Sequence, residues 1–112
     1  MLDFIVKRNR CLSEKEAKLV ILQLCQAIKV LHDHHIIHRD IKLENIMLRR
    51  INDLSQLVLI DLGLARVIHY PNQNLTVSVG TIEYKSPEVV SGNVQYSYAA
   101  DIWSLTCTIY AM

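Results

Sequence analysis

The chain is short of glycine, of pairable cysteine and of net charge, and each shortage excludes something. Its three glycines, Gly63, Gly80 and Gly92, stand far apart, so the chain holds no glycine-rich loop of the kind that cradles phosphates. The three cysteines are odd in number and have no C-x-x-C spacing, which argues for reduced thiols rather than a disulfide frame. A formal net charge of +1 gives no footing for nucleic acid or an anionic membrane as partner. No apolar run approaches the ~20 residues that a bilayer-crossing helix needs. The first residues, interrupted by Asp3 and closed by Lys7-Arg8, are too short and wrongly flanked for a signal peptide. These exclusions lead us to expect a soluble intracellular protein of the cytoplasm with no nucleic-acid and no membrane partner. At 112 residues and 51% apolar composition it is at most one small globular domain.

What is present begins with Ser13-Glu14-Lys15-Glu16, a capping box in which hydroxyl and carboxylate satisfy each other's orphan amides. Apolar residues then recur at Ala17, Val20, Ile21, Leu24, Ile28 and Leu31, one stripe of a helix that should run to about His34. Residues 46–48 and 57–60, separated by the turn signal Asn52-Asp53, read as a small hairpin. Residues 64–87 form a long connection without periodicity of their own, and helical character returns near Ala99.

Between the first helix and the hairpin lies His38-Arg39-Asp40-Ile41-Lys42-Leu43-Glu44-Asn45, followed later by Ile60-Asp61-Leu62-Gly63. An acid, a lysine and an amide in close order, with a second acid after an apolar run, are the inventory that phosphoryl transfer from ATP requires. Asp40 would orient the attacking hydroxyl, an effect worth about 10²–10⁴ in rate. Lys42 would balance charge on the transferring phosphate, and Asn45 and Asp61 would hold Mg²⁺ through hard oxygen ligands.

Order and spacing resemble the catalytic loop and metal loop of eukaryotic protein kinases, and the lysine at Lys42 resembles the serine/threonine branch. Gly80-Thr81-Ile82-Glu83-Tyr84-Lys85-Ser86-Pro87-Glu88 is similar to the end of a kinase activation segment, with Ser86 where alanine is common. Asp101-Ile102-Trp103-Ser104-Leu105 resembles the start of the buried anchoring helix, whose aspartate would bond to catalytic-loop amides. The resemblance implies a fold that is α+β but mainly α, part of a kinase C-lobe spanning residues 1–112. Its parts would be the long helix, catalytic loop, small β-hairpin, activation segment and start of the anchoring helix. It implies ATP and Mg²⁺ as cofactors and a protein with Ser or Thr hydroxyls as substrate.

Residue by residue, the resemblance makes Asp40, Lys42 and Asn45 catalytic and places Glu44, Asn45, Met47 and Asp61 toward the nucleotide. Glu44 is also a candidate for basic substrate residues, and Thr81 belongs to the substrate-docking loop, touching Asp40 and Lys42. Arg39 would pair with an activation-segment phosphate, for which Thr76 and Ser78 are the candidates, since Val77 occupies the position most often phosphorylated in relatives. Leu62 should pack beside His38, Thr106 stands where a glycine is usual and could crowd a backbone contact, and His35 replaces a helix-ending glycine. The cluster His32, His34, His35 and His38 lacks the H-E-x-x-H pattern and a nearby cysteine, which argues against zinc; His38 reads as a packing residue and the others as an exposed helix end.

Residues 1–7 match the middle of a preceding helix, and the upper lobe of a kinase and its later helices have no counterpart in the sequence. The expectation is therefore a truncated piece with little or no activity alone, in which Glu88 lacks its distant arginine. Two function classes follow: a serine/threonine kinase core, or a non-catalytic kinase-derived module that binds partners.

Overall fold

The computed structural model describes residues 1–69, 78–92 and 97–112. Helix α1 (Leu2–Arg8) is joined to the long helix α2 (Glu14–Asp33) through the capping box. The Ser13 hydroxyl faces the Glu16 amide at 3.4 Å while the Glu16 carboxylate accepts from the Ser13 amide at 2.8 Å. Arg8 reaches across to Glu16 at 2.7 Å and lies over the Phe4 ring, so α1 is pinned to the head of α2. Val20, Leu24 and Ile28 are fully buried along one face of α2, whereas Ile21 and Leu31 on the flank of the stripe are only half-buried.

After α2 the chain turns through His35, left-handed at φ 58°, into the short strand β1 (Ile36–Ile37). Strands β2 (Ile46–Arg50) and β3 (Asp53–Leu59) form the expected hairpin, longer than the sequence pattern suggested, with Ile46 opposite Leu59 and Leu48 opposite Leu57. Asn52 at φ 61° makes the turn, a conformation asparagine tolerates. Gln23 ties the hairpin to α2: its amide donates to the Leu54 carbonyl at 2.8 Å and its oxygen accepts from the Leu57 amide at 2.9 Å.

The long connection is more structured than its lack of period implied. Strand β4 (Arg66–Val67) pairs antiparallel with β1, Ile37 facing Arg66. A single 3₁₀ turn at Ile82–Tyr84 and the short helix α3 (Pro87–Val90) follow, then helix α4 (Tyr98–Tyr110). Two apolar clusters result. The larger joins α1, α2, the hairpin and Leu105 of α4; the smaller gathers Ile37, Val89 and Ala100 around the loop ends. Thr106 crowds nothing: it is exposed, and its hydroxyl donates back to the Ile102 carbonyl at 2.9 Å. Glu88 is exposed and makes no ion pair among the described residues. No helix among them is long and apolar enough to cross a membrane.

Two stability outcomes follow. Ser13→Ala removes the N-cap and should cost about 1 kcal/mol in thermal or urea unfolding. The Ser13 amide bond, then the Arg8 contact, lower the Glu16 carboxyl to about 2, so this cap's contribution is complete above the ordinary carboxylate value and fades as pH falls toward 2. Ser86 is 1% exposed and its hydroxyl has no partner among the described residues, so Ser86→Ala should raise stability by about 1 kcal/mol. A loss in the same melts would mean that the hydroxyl is satisfied.

Candidate active site

The loop between β1 and β2 is held from below by one carboxylate. Asp101, fully buried near the start of α4, accepts from the His38 amide through Oδ2 and the Arg39 amide through Oδ1, each at 2.9 Å. Charge-assisted bonds of this kind are worth roughly 1.5–3 kcal/mol each. They hold Arg39 at φ 67°, a left-handed conformation that costs a non-glycine residue about 1–2 kcal/mol.

His38 locks the next step. Its Nδ1 accepts from the Asp40 amide at 3.3 Å, which leaves Nε2–H to donate to the Ile60 carbonyl at 3.2 Å. The imidazole thus links the residue before Asp61 to the backbone of Asp40. Leu62, expected beside His38, stands in a 3₁₀ turn at Leu62–Leu64 that follows Asp61 at φ 65°, with 54% of its surface exposed.

The structure brings Asp40, Lys42, Asn45 and Thr81 into one network. Oδ1 of Asp40 accepts from the Thr81 amide at 3.1 Å and hydroxyl at 2.9 Å. Oδ2 pairs with Lys42 Nζ at 2.9 Å and accepts from the Asn45 amide nitrogen at 3.1 Å. Lys42 also donates to the Thr81 hydroxyl at 2.7 Å. Burial pushes the Asp40 carboxyl upward, yet the bonds from Lys42 and Thr81 outweigh it and hold the group below the ordinary carboxylate value. The same bond to Asp40 raises the Lys42 ammonium.

Gly80 is what lets Thr81 come so close. It sits at φ 89°, and a Cβ there would stand 2.4 Å from the Arg39 carbonyl oxygen. Ser104 on α4 holds the other side of the segment, its hydroxyl donating to the Tyr84 carbonyl at 2.7 Å.

The remaining candidates are spread more widely. Asp61 is exposed, with Oδ1 accepting from the Gly63 amide at 3.2 Å. Glu44 and Met47, both exposed, line an open groove of about 470 Å³ with Leu2, Asp3 and Ile60. Arg39 is buried, its Nε donating to the Leu64 carbonyl at 2.7 Å. Ser78 is exposed and accepts from Lys85 Nζ at 3.2 Å, while Thr76 lies outside the described residues.

His32 does not belong to an exposed helix end: it is half-buried, and Nε2 meets the Asp101 carboxylate at 2.9 Å. The partner lies 69 positions away, beyond anything local spacing displays. His34 and His35 are exposed as expected, although His35 Nδ1 meets the Tyr98 hydroxyl at 3.3 Å.

The sequence profile of the protein kinase domain matches residues 1–112. The chain belongs to the protein kinase domain family. It is 38% identical over 108 residues to the probable serine/threonine-protein kinase CCRP1 of Zea mays, an alignment covering 96% of this chain and 17% of that protein. With the serine/threonine-protein kinase polo of Drosophila melanogaster it shares 39% identity over 106 residues, covering 95% and 18%. With the serine/threonine-protein kinase Nek4 of Mus musculus it shares 36% over 106 residues, covering 95% and 13%. The chain therefore spans less than a fifth of the length of these kinases.

The Asp40 network yields a pH prediction. A carboxyl lowered on folding adds stability above its ordinary value of 3.8 and loses it as pH falls through the folded value. The stability gap between the chain and Asp40→Asn should thus stay constant from about pH 5 to 9 and shrink in acid. A gap that changes near neutrality in urea melts would contradict the assigned network.

Proposed function

We propose that this chain carries the catalytic centre for transfer of the ATP γ-phosphoryl group to Ser or Thr hydroxyls of protein substrates. The observation that supports it is the network joining Asp40 to Lys42, Asn45 and Thr81. Asp40 positions an acceptor hydroxyl in place of one of its present donors and takes up its proton as the hydroxyl oxygen bonds the γ-phosphorus and the bond from that phosphorus to the bridging oxygen breaks, ADP leaving with the electron pair. Its lowered basicity suits a loose transition state, in which the proton need not leave early and orientation matters more. Lys42 stands close enough to place its charge beside the transferring group.

Oxygen donors of the type Mg²⁺ prefers are available in Asn45 and Asp61. The Asn45 amide nitrogen donates to the Asp40 carbonyl and carboxylate, so the side-chain oxygen is the group Asn45 would offer a cation, and Asp61 keeps an exposed carboxylate. When bound, Mg²⁺ would neutralise charge on the phosphate oxygens. Met47 and Glu44 on the open groove suit the nucleoside end of ATP. Arg39, already directed at the activation segment through Leu64, suits a phosphate on Thr76 or Ser78.

Thermal unfolding with and without ATP–Mg tests the reading. At nucleotide ten times its Kd the chain should gain about 1.4 kcal/mol, and Asp61→Ala should abolish the gain. An equal shift in the variant, or none in the parent chain, would sink it.

A further inference from the structure

Tyr98 and Asp101 stand three residues apart on α4, on one helical face, and His32 lies against both. The His32 and Tyr98 rings pack with centroids 4.6 Å apart and planes tilted by 45°. Because a carboxylate only accepts, the 2.9 Å contact to Asp101 Oδ2 requires the proton on His32 Nε2. That same Oδ2 receives the His38 amide. The end of a histidine side chain turns about a broad torsion with little intrinsic preference, so something must hold the ring in the plane that serves Asp101. Tyr98 is the side chain placed to do so. It is itself held by the cluster of Ile37, Val89 and Ala100 and by the His35 contact to its hydroxyl.

We propose that Tyr98 is a positioning residue for the catalytic loop, acting through His32 on the carboxylate that fixes the His38 and Arg39 amides. Without the tyrosine ring, His32 turns, Oδ2 loses a donor, and the left-handed Arg39 loses part of the hold that keeps Asp40 in place. The consequence for catalysis rests on the phosphoryl-transfer reading; the effect on the loop does not.

Amide hydrogen exchange followed by NMR on the 112-residue chain tests this. Tyr98→Ala should speed exchange at His38 and Arg39 about tenfold, as the loss of roughly one charge-assisted bond would, and leave the hairpin amides of Met47 and Val58, which face each other in the ladder, unchanged. His32→Ala should do the same, and the double variant should add nothing further. Tyr98→Phe keeps the ring contact and should stay within about twofold of the parent chain. Long-range ¹H–¹⁵N spectra should show the His32 proton on Nε2 in the parent chain and divided between the nitrogens in Tyr98→Ala. Tyr98→Leu, which keeps apolar cover over Val89 and Ala100, carries the same test where the alanine variant does not fold.

Unchanged exchange at His38 and Arg39, additive effects in the double variant, or equal loss of protection in the hairpin would each overturn the proposal. ATP–Mg binding measured alongside keeps the two readings apart. No binding by the parent chain removes the functional reading alone, and Tyr98→Ala should leave the nucleotide Kd within about twofold because Tyr98 lies outside the groove.

Discussion

The backbone of the loop that carries Asp40 hangs on the Asp101 carboxylate. Its oxygens take the amides of His38 and Arg39 and the ring of His32, so α4, the catalytic loop and the end of α2 meet at one buried charge. Such a charge is tolerable only when its lone pairs are filled. Here they are filled by two backbone amides and the His32 ring, which converts the cost of burying the carboxylate into a fixed loop geometry. The left-handed Arg39 is the visible sign of the exchange, because an unsupported chain would relax that residue. Position is thus set from the floor of the site, by a residue whose carboxylate is fully buried.

The upper face of the loop has the opposite character. Asp40 is surrounded by four donors from three residues, which together occupy its acceptor capacity. A carboxylate so crowded is a weak base, and its acid form is pushed further out of reach. For chemistry driven by full proton abstraction this would be a poor arrangement. For phosphoryl transfer it is an apt one, since the barrier falls chiefly through alignment and charge balance. The crowding also makes the site conditional: Thr81 is a donor only while Gly80 lets the segment pass over the Arg39 carbonyl. Docking of that segment and the filling of Asp40's Oδ1 by the two Thr81 donors are therefore one event.

Much of this was legible in the sequence because local rules carried it. The capping box and the apolar stripe of α2 are determined within a few residues, and the turn at Asn52 follows from what asparagine tolerates. The motif residues could be named because their spacing is rigid, and Asp101 was expected to bond to the loop amides on the strength of family resemblance. Long-range pairings of one or two groups stayed hidden. The β1–β4 ladder is two residues wide, too narrow for any period, and Gln23 meets Leu54 and Leu57 by tertiary placement alone. His32 looked like solvent-facing polar sequence among other histidines, and only folding separates it from His34.

The positions that depart from the family pattern show which constraints are strict. Thr106 in place of glycine is harmless, because the helix offers the hydroxyl a carbonyl and the side chain faces outward. His35 replaces a helix-ending glycine at a left-handed position, where the backbone penalty is real, yet its ring gains the Tyr98 hydroxyl. Ser86 obtains no such compensation: its hydroxyl is buried without a partner among the described residues. None of the three touches the Asp40 network. Thr106 and His35 are accommodated because their side chains turn outward or find a local partner. At Gly80 neither escape exists, because the obstacle to a side chain is the Arg39 carbonyl of the loop backbone itself.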